Sequence, residues 1–202
     1  MSNNLKYVLV HFLILVSLSA MTQNDLKNDS LPFRDITQYP SSFSSENVLL
    51  RMIDGLGFRF YWATEGLRNE DLIYRPNEDA RTSEETIDHV MGLSKMVLNS
   101  LNSTPNITSG EETSPKSFEE KRKIVLNNLF EARQMLASNL IKVEEVKIIF
   151  VRNKTTSELP VWNLINGPIA DAIWHTGQIV SFRRSSGNPF DSKVNVMLGK
   201  LR

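Results

Sequence analysis

The sequence predicts an all-α protein: a four-helix bundle with a short β-strand or hairpin before its last helix. Three observations carry this. Four separate stretches repeat apolar residues every three or four positions, the period of a helix that buries one face. Loops rich in Ser, Thr, Pro and Asn divide those stretches. Only one run, Val146 to Val151, is β-branched and aromatic enough to suggest a strand. Helices that each bury one stripe, joined by loops, close into a bundle.

The chain opens on "MSNNLKYVLVHFLILVSLSAMTQ". A polar start with Lys6, an apolar run from Tyr7 to about Val16, and then Ser17, Ser19 and Ala20 have the layout of a secretory signal peptide. The apolar run is shorter than the roughly 20 residues a membrane span needs. Residues 1–20 are therefore assigned to a removed signal, with an uncleaved anchor or a buried N-terminal helix as the alternatives. The mature protein would be exported, periplasmic or secreted, with no integral membrane span. Residues 21–42 read as an extended polar lead-in carrying Pro32 and Pro40, and residues 43–202 as the bundle domain.

The first helix is expected to start after Ser44 or Ser45 and end near Gly66. Its stripe is Val48, Leu49, Met52, Ile53, Leu56, Phe60, Ala63 and Leu67. Gly55 and Gly57 weaken it, because an interior glycine costs about 1 kcal/mol against alanine. A polar connection with Pro76 follows. "TSEE" then supplies a capping box, Thr82 as N-cap and Glu85 three residues on. The second helix runs to about Leu101 on Ile87, Val90, Met91, Ser94, Val97, Leu98 and Leu101. "NSTPNITSGEETSPK" reads as a loop. The third helix starts after Ser117 and keeps its period through Phe118, Val125, Leu129, Ala132, Leu136 and Leu140, with Glu119 to Lys123 as a solvated face. The fourth begins near Leu159 or Pro160 and ends at Gly187, with Pro189 as a stop and Pro168 as a kink.

Lys plus Arg and Asp plus Glu both total 23, so no basic surface points to nucleic acid or an anionic membrane. With no cysteine, the chain has no disulfide, thiolate ligand, cysteine nucleophile or lipid-anchor cysteine. Spare apolar surface on a bundle would allow a homodimer, although no residue pattern marks one. No serine–histidine–acid order and no glycine-rich phosphate loop after a strand can be built.

Three histidines are present, and His11 falls in the presumed signal. His89 lies mid-way along the second helix, on the stripe Thr82, Thr86, His89, Leu93 and Met96, beside the main apolar face. In "DAIWHTGQIVSFRRSSGNP", Asp171 and His175 are one helical turn apart and share a stripe with Gln178 and Phe182. If the second and fourth helices are neighbours, two imidazoles and a carboxylate meet. That set can take one side of a divalent first-row cation and leave positions for water or substrate. The bland alternative is a hydrogen-bonded Asp171–His175 pair with His89 in the core or at its rim.

"GLRNEDLIYRP", "SEETIDHVMGL" and "DAIWHTGQIVSFRRSSGNP" together resemble the DinB-like (damage-inducible, YfiT-type) superfamily, over about Phe43 to Pro189. The resemblance implies a four-helix bundle that binds a divalent metal, commonly nickel or zinc, through three histidines. His89 matches the first ligand and His175 the third. The middle position is Asp171, a departure that makes the site more anionic. The resemblance further implies metal-dependent hydrolysis or thiol-dependent transfer on a small-molecule substrate it does not name, and export disfavours the thiol reaction. A degenerate site on a non-catalytic binding or stress-related accessory protein is the alternative. Iron is a third option, since two histidines and a carboxylate are also a non-haem iron donor set.

Other residues are given structural or supporting parts. Gln178 is placed to hydrogen-bond a ligand or a bound water. Gly177 would let the second helix approach closely. Arg183 and Arg184 suit a helix C-terminus. Trp62, Trp162 and Trp174 are expected in the core, and Tyr74 and Arg75 in a loop packed on the bundle end.

Overall fold

A computed structural model describes residues 31–107 and 116–202. The expected signal peptide and the first part of the lead-in lie outside the described residues. The fold is mainly helical, with a few short strands. Among the described residues, no helix is long and apolar enough to cross a membrane.

Helix α1 spans Ser45–Thr64, and the Ser44 hydroxyl accepts the Asn47 N–H at its start. A single turn, α2, covers Asn69–Leu72. Helix α3 is Ser83–Leu101, opened by the predicted capping box: Thr82 Oγ1 accepts from Glu85 N–H, and Glu85 accepts from Thr82 N–H. Helix α4 is Phe118–Ala137, with the same reciprocal bonds between Ser117 and Glu120. Leu140 therefore falls beyond α4 and is exposed, against its assignment to the inner stripe.

The predicted β segment is a hairpin of β2 (Lys147–Arg152) and β3 (Thr155–Pro160). Its two-residue turn, Asn153–Lys154, has positive φ at both positions, the twist-matched form for a tight hairpin. The preceding loop adds β1 (Asn106–Ile107), parallel to β2, where the Asn106 amide donates to Ile149 O.

The last helical stretch is broken into three. A turn α5 (Val161–Leu164) leads into a π-helical segment, Ile165–Ile169, and then into α6 (Ala170–Ser185). Pro168 sits inside the π segment. With no N–H, it cannot give the regular helical bond, and the widened turn absorbs the misfit. The predicted kink is thus a π-turn, and it delivers the chain directly into α6 and Asp171. A final pair, β4 (Val194–Asn195) and β5 (Lys200–Leu201), closes the chain.

Helices α1 and α3 each pack against both α4 and α6. One core results, with Ile53, Leu56, Phe58 and Phe60 from α1, Ile87 and Val97 from α3, Leu129 and Leu136 from α4, and Ala172 and Ile179 from α6. Truncating any of its leucines to alanine should cost about 2–5 kcal/mol.

The described part of the lead-in joins this core. Phe33 and Ile36 are buried, and the Phe33 ring lies 2.5 Å from where a Cβ on residue 57 would stand. Gly57 is thus a helix-weakening residue retained for a close approach.

Several expectations are corrected. Trp62 is buried, but Trp162 and Trp174 are 74% and 72% exposed. They flank the π-turn on outer faces, and helical aromatic character alone does not fix a direction. The charged run of α4 is not uniformly solvated: Lys121 is buried and bonds Glu84 and Asp88 of α3. Arg122 donates to Thr64 Oγ1 and Tyr61 O and pairs with Glu65. Opposite charges on the neighbouring helices satisfy these cations inside the interface. A Cβ on Gly177 would meet nothing within 4 Å, so this glycine serves no close helix contact.

Candidate metal centre

The stripe Asp171, His175 and Gln178 faces the seam between α6 and α3, and His89 enters that seam from the middle of α3. The capping box at Thr82 fixes where α3 begins and hence where His89 stands along it. The π-turn fixes the start of α6 and the direction of Asp171.

His89 Nε2 lies 3.1 Å from Asp171 Oδ2, and His175 Nε2 lies 3.3 Å from Asp171 Oδ1. The two imidazole rings are perpendicular, with centroids 4.6 Å apart. One donor atom from each residue falls within 4.8 Å of the others, and the three could hold one metal ion. Neighbouring ligands with bonds of about 2.0–2.2 Å stand about 3.0–3.5 Å apart on one cation. The Asp171–imidazole separations lie in that range, each to a different oxygen of the carboxylate.

His175 Nδ1 is 2.7 Å from Gln178 Oε1, which can only accept, so Nδ1–H donates. In the neutral ring, Nε2 is then a bare lone pair facing a carboxylate oxygen. Two acceptors at 3.3 Å repel unless a cation, a proton or a metal ion, lies between them. Gln178 thus holds the ring in the tautomer that presents Nε2, as a metal-bound histidine requires.

The side chains of His89, Asp171 and His175 are 33%, 42% and 14% exposed. Solvent can reach the convergence point. Such openness suits a centre with positions left for water or substrate, in contrast to a closed structural site.

The remaining candidates are elsewhere. Arg183 is buried at the far end of α1, where it donates to the carbonyls of Trp62, Ala63 and Glu65 and to Asn188 O. It caps a helix C-terminus as predicted, but that of α1 and not its own. Burial lowers the pKa of its guanidinium, while the charge of Asp71 opposes this. Tyr74 packs on Phe182 at 5.8 Å, as the bundle-end loop reading expects.

Asp71 has no counterpart in the sequence reading. It is fully buried and accepts from Arg68, Ser186 and Asn188. Burial pushes its pKa up, but these hydrogen bonds prevail and hold it well below the ordinary carboxylate range. The Arg68–Asp71 spacing hints at a pair, whereas Ser186 and Asn188 arrive from the other end of the domain.

No family model, curated protein or solved structure matches the chain. The functional reading therefore stands on the centre itself.

Proposed function

We propose that the protein is an exported four-helix bundle of DinB-like type. In this reading it binds one divalent cation, zinc or nickel, through His89, Asp171 and His175, and hydrolyses a small-molecule substrate. The observation that carries it is the convergence of donor atoms from His89, Asp171 and His175, with Gln178 Oε1 2.7 Å from His175 Nδ1. Imidazole with carboxylate suits zinc and nickel, and the same donors admit iron.

A divalent cation held there supplies Lewis acidity and a water of lowered pKa. The chain's own groups do the rest. His89 and His175 clamp the centre from two helices, so its position is set by the α3–α6 packing. Asp171 offsets cationic charge. Gln178 fixes the His175 ring. The exposed side of Asp171 leaves room for a substrate to approach from solvent. Export places the protein away from cytosolic thiols, which ranks hydrolysis above thiol transfer.

Elemental analysis of the purified mature protein, loaded separately with zinc, nickel and, without oxygen, iron, tests this. About one equivalent per chain is expected, lost in His89→Ala and His175→Ala. Chromogenic esters, phosphoesters and amides should then reveal a metal-dependent hydrolysis absent from the same variants. A second reading has its own support: Asp171 already lies at hydrogen-bond distance from one imidazole, as in a purely structural pair. No metal in chelator-free preparations would favour that reading, a non-catalytic accessory protein.

A further inference from the structure

Helix α6 has a second lined face. Ile173, Thr176, Val180 and Arg184 lie on a stripe roughly half a turn round from Asp171, His175 and Gln178, at about 100° per residue. Together with Arg59 of α1 and with Phe190, Val194 and Val196 of the C-terminal segment, they line a groove of about 460 Å³. Its volume is in the range of small-molecule sites, about 300–1,000 Å³.

The lining is apolar but for Thr176 and two guanidinium groups, and it includes no carboxylate. The Thr176 hydroxyl is taken up by Ala172 O within α6. Arg59 spends one N–H on Gly55 O of its own helix and makes no ion pair among the described residues. Arg184 makes neither an ion pair nor a side-chain hydrogen bond among the described residues, in contrast to its neighbour Arg183, whose donors are consumed by carbonyls. A Cβ on Gly177 would meet nothing within 4 Å, so this wall of the groove is kept open by a missing side chain.

Two uncompensated cations beside an apolar floor complement one kind of ligand, an anionic head on an aliphatic tail. We propose that the α1–α6 groove binds a single-chain aliphatic carboxylate of medium length. The tail lies against Ile173, Val180 and Phe190, and the head is held by Arg59 and Arg184, whose planar forks match a carboxylate. The site is on the opposite side of α6 from the candidate metal centre and does not depend on it.

Calorimetric titration of the full mature chain with decanoate tests the assignment. Saturable one-to-one binding is expected, with octanoate roughly tenfold weaker for its two fewer methylenes. Decanol, which lacks the charge, should bind at least about tenfold more weakly, as should decanoate to the Arg59→Gln, Arg184→Gln double variant. Gly177→Met fills the open wall and should abolish binding while its circular dichroism stays native and its melting temperature does not fall. His175→Ala should bind decanoate as the parent does, even where metal is lost. Absence of saturable binding, equal affinity for decanol, or unchanged affinity in the double variant would overturn the proposal. So would recruitment to phosphatidylglycerol vesicles without binding of free decanoate.

Discussion

Asp171 Oδ2 lies 3.1 Å from His89 Nε2, across 82 positions of sequence and between two helices. The contact joins α3 to α6 through two partly exposed polar side chains. The metal-binding reading depends on that contact, and the α1–α6 groove does not.

Removing the charge at the centre should separate metal binding from folding. Asp171→Asn keeps the shape and removes the anion. Metal affinity is expected to fall at least about tenfold. The melting temperature of the metal-free protein should change little, because polar contacts between partly exposed side chains contribute about 0–1 kcal/mol. Competition with a chromogenic chelator and a thermal melt read the two effects.

Gln178→Leu should also weaken the centre without touching a ligand. The ring of His175 loses the partner of its Nδ1–H, and metal affinity should drop about 10- to 100-fold. Gln178→Glu, which still accepts that hydrogen, should recover most of the loss. A structural role alone would not produce that rescue.

The two arginines that end α6 should behave oppositely. Arg183→Met strips partners from buried carbonyls at the end of α1 and should cost about 3 kcal/mol or more. Arg184→Ala should stay within about 0.5 kcal/mol, since surface changes away from such contacts are close to neutral. Urea unfolding of the two variants distinguishes them.

Acid should act through Asp71. Folding holds this carboxyl below its ordinary value of 3.8, so its contribution is fully present above that value. The contribution is lost as pH falls through the ordinary value toward the depressed one. Stability measured by urea from pH 7 to pH 3 should therefore fall less steeply at its acid end in Asp71→Asn than in the parent. The variant itself should be less stable at neutral pH by about 2 kcal/mol.

Two glycines in helices should respond in opposite directions. Gly57→Ala drives a methyl into the Phe33 ring and should destabilise by about 1–3 kcal/mol. Gly177→Ala meets open space and should stabilise α6 by about 0.5–1 kcal/mol. Thermal melts give both signs.

These contrasts show which features were legible in the sequence. The start of α3 could be read because Thr82 and Glu85 form a cap from residues three apart. The first strand of the hairpin could be read because the run Val146 to Val151 favours a strand locally, whereas Leu159 and Pro160, expected to open the last helix, end the second strand. His89, Asp171 and His175 could be named because the chain has only three histidines, one of them in the presumed signal, and Asp171 and His175 sit one turn apart. What escaped depends on distant partners. Lys121 looks solvated until Glu84 and Asp88 are brought beside it. Asp71 looks like a loop acid until Ser186 and Asn188 reach it from the far end of the domain. Trp162 and Trp174 look like core residues because the π-turn that redirects the last helical stretch leaves no period in the sequence.

The most direct measurement is anomalous diffraction from crystals of the zinc-loaded protein, collected on both sides of the zinc edge. The account predicts a single strong peak in the α3–α6 seam, about 2.0–2.2 Å from His89 Nε2, His175 Nε2 and an oxygen of Asp171. A peak elsewhere, or none with the two imidazoles still resting on the Asp171 carboxylate, would contradict it.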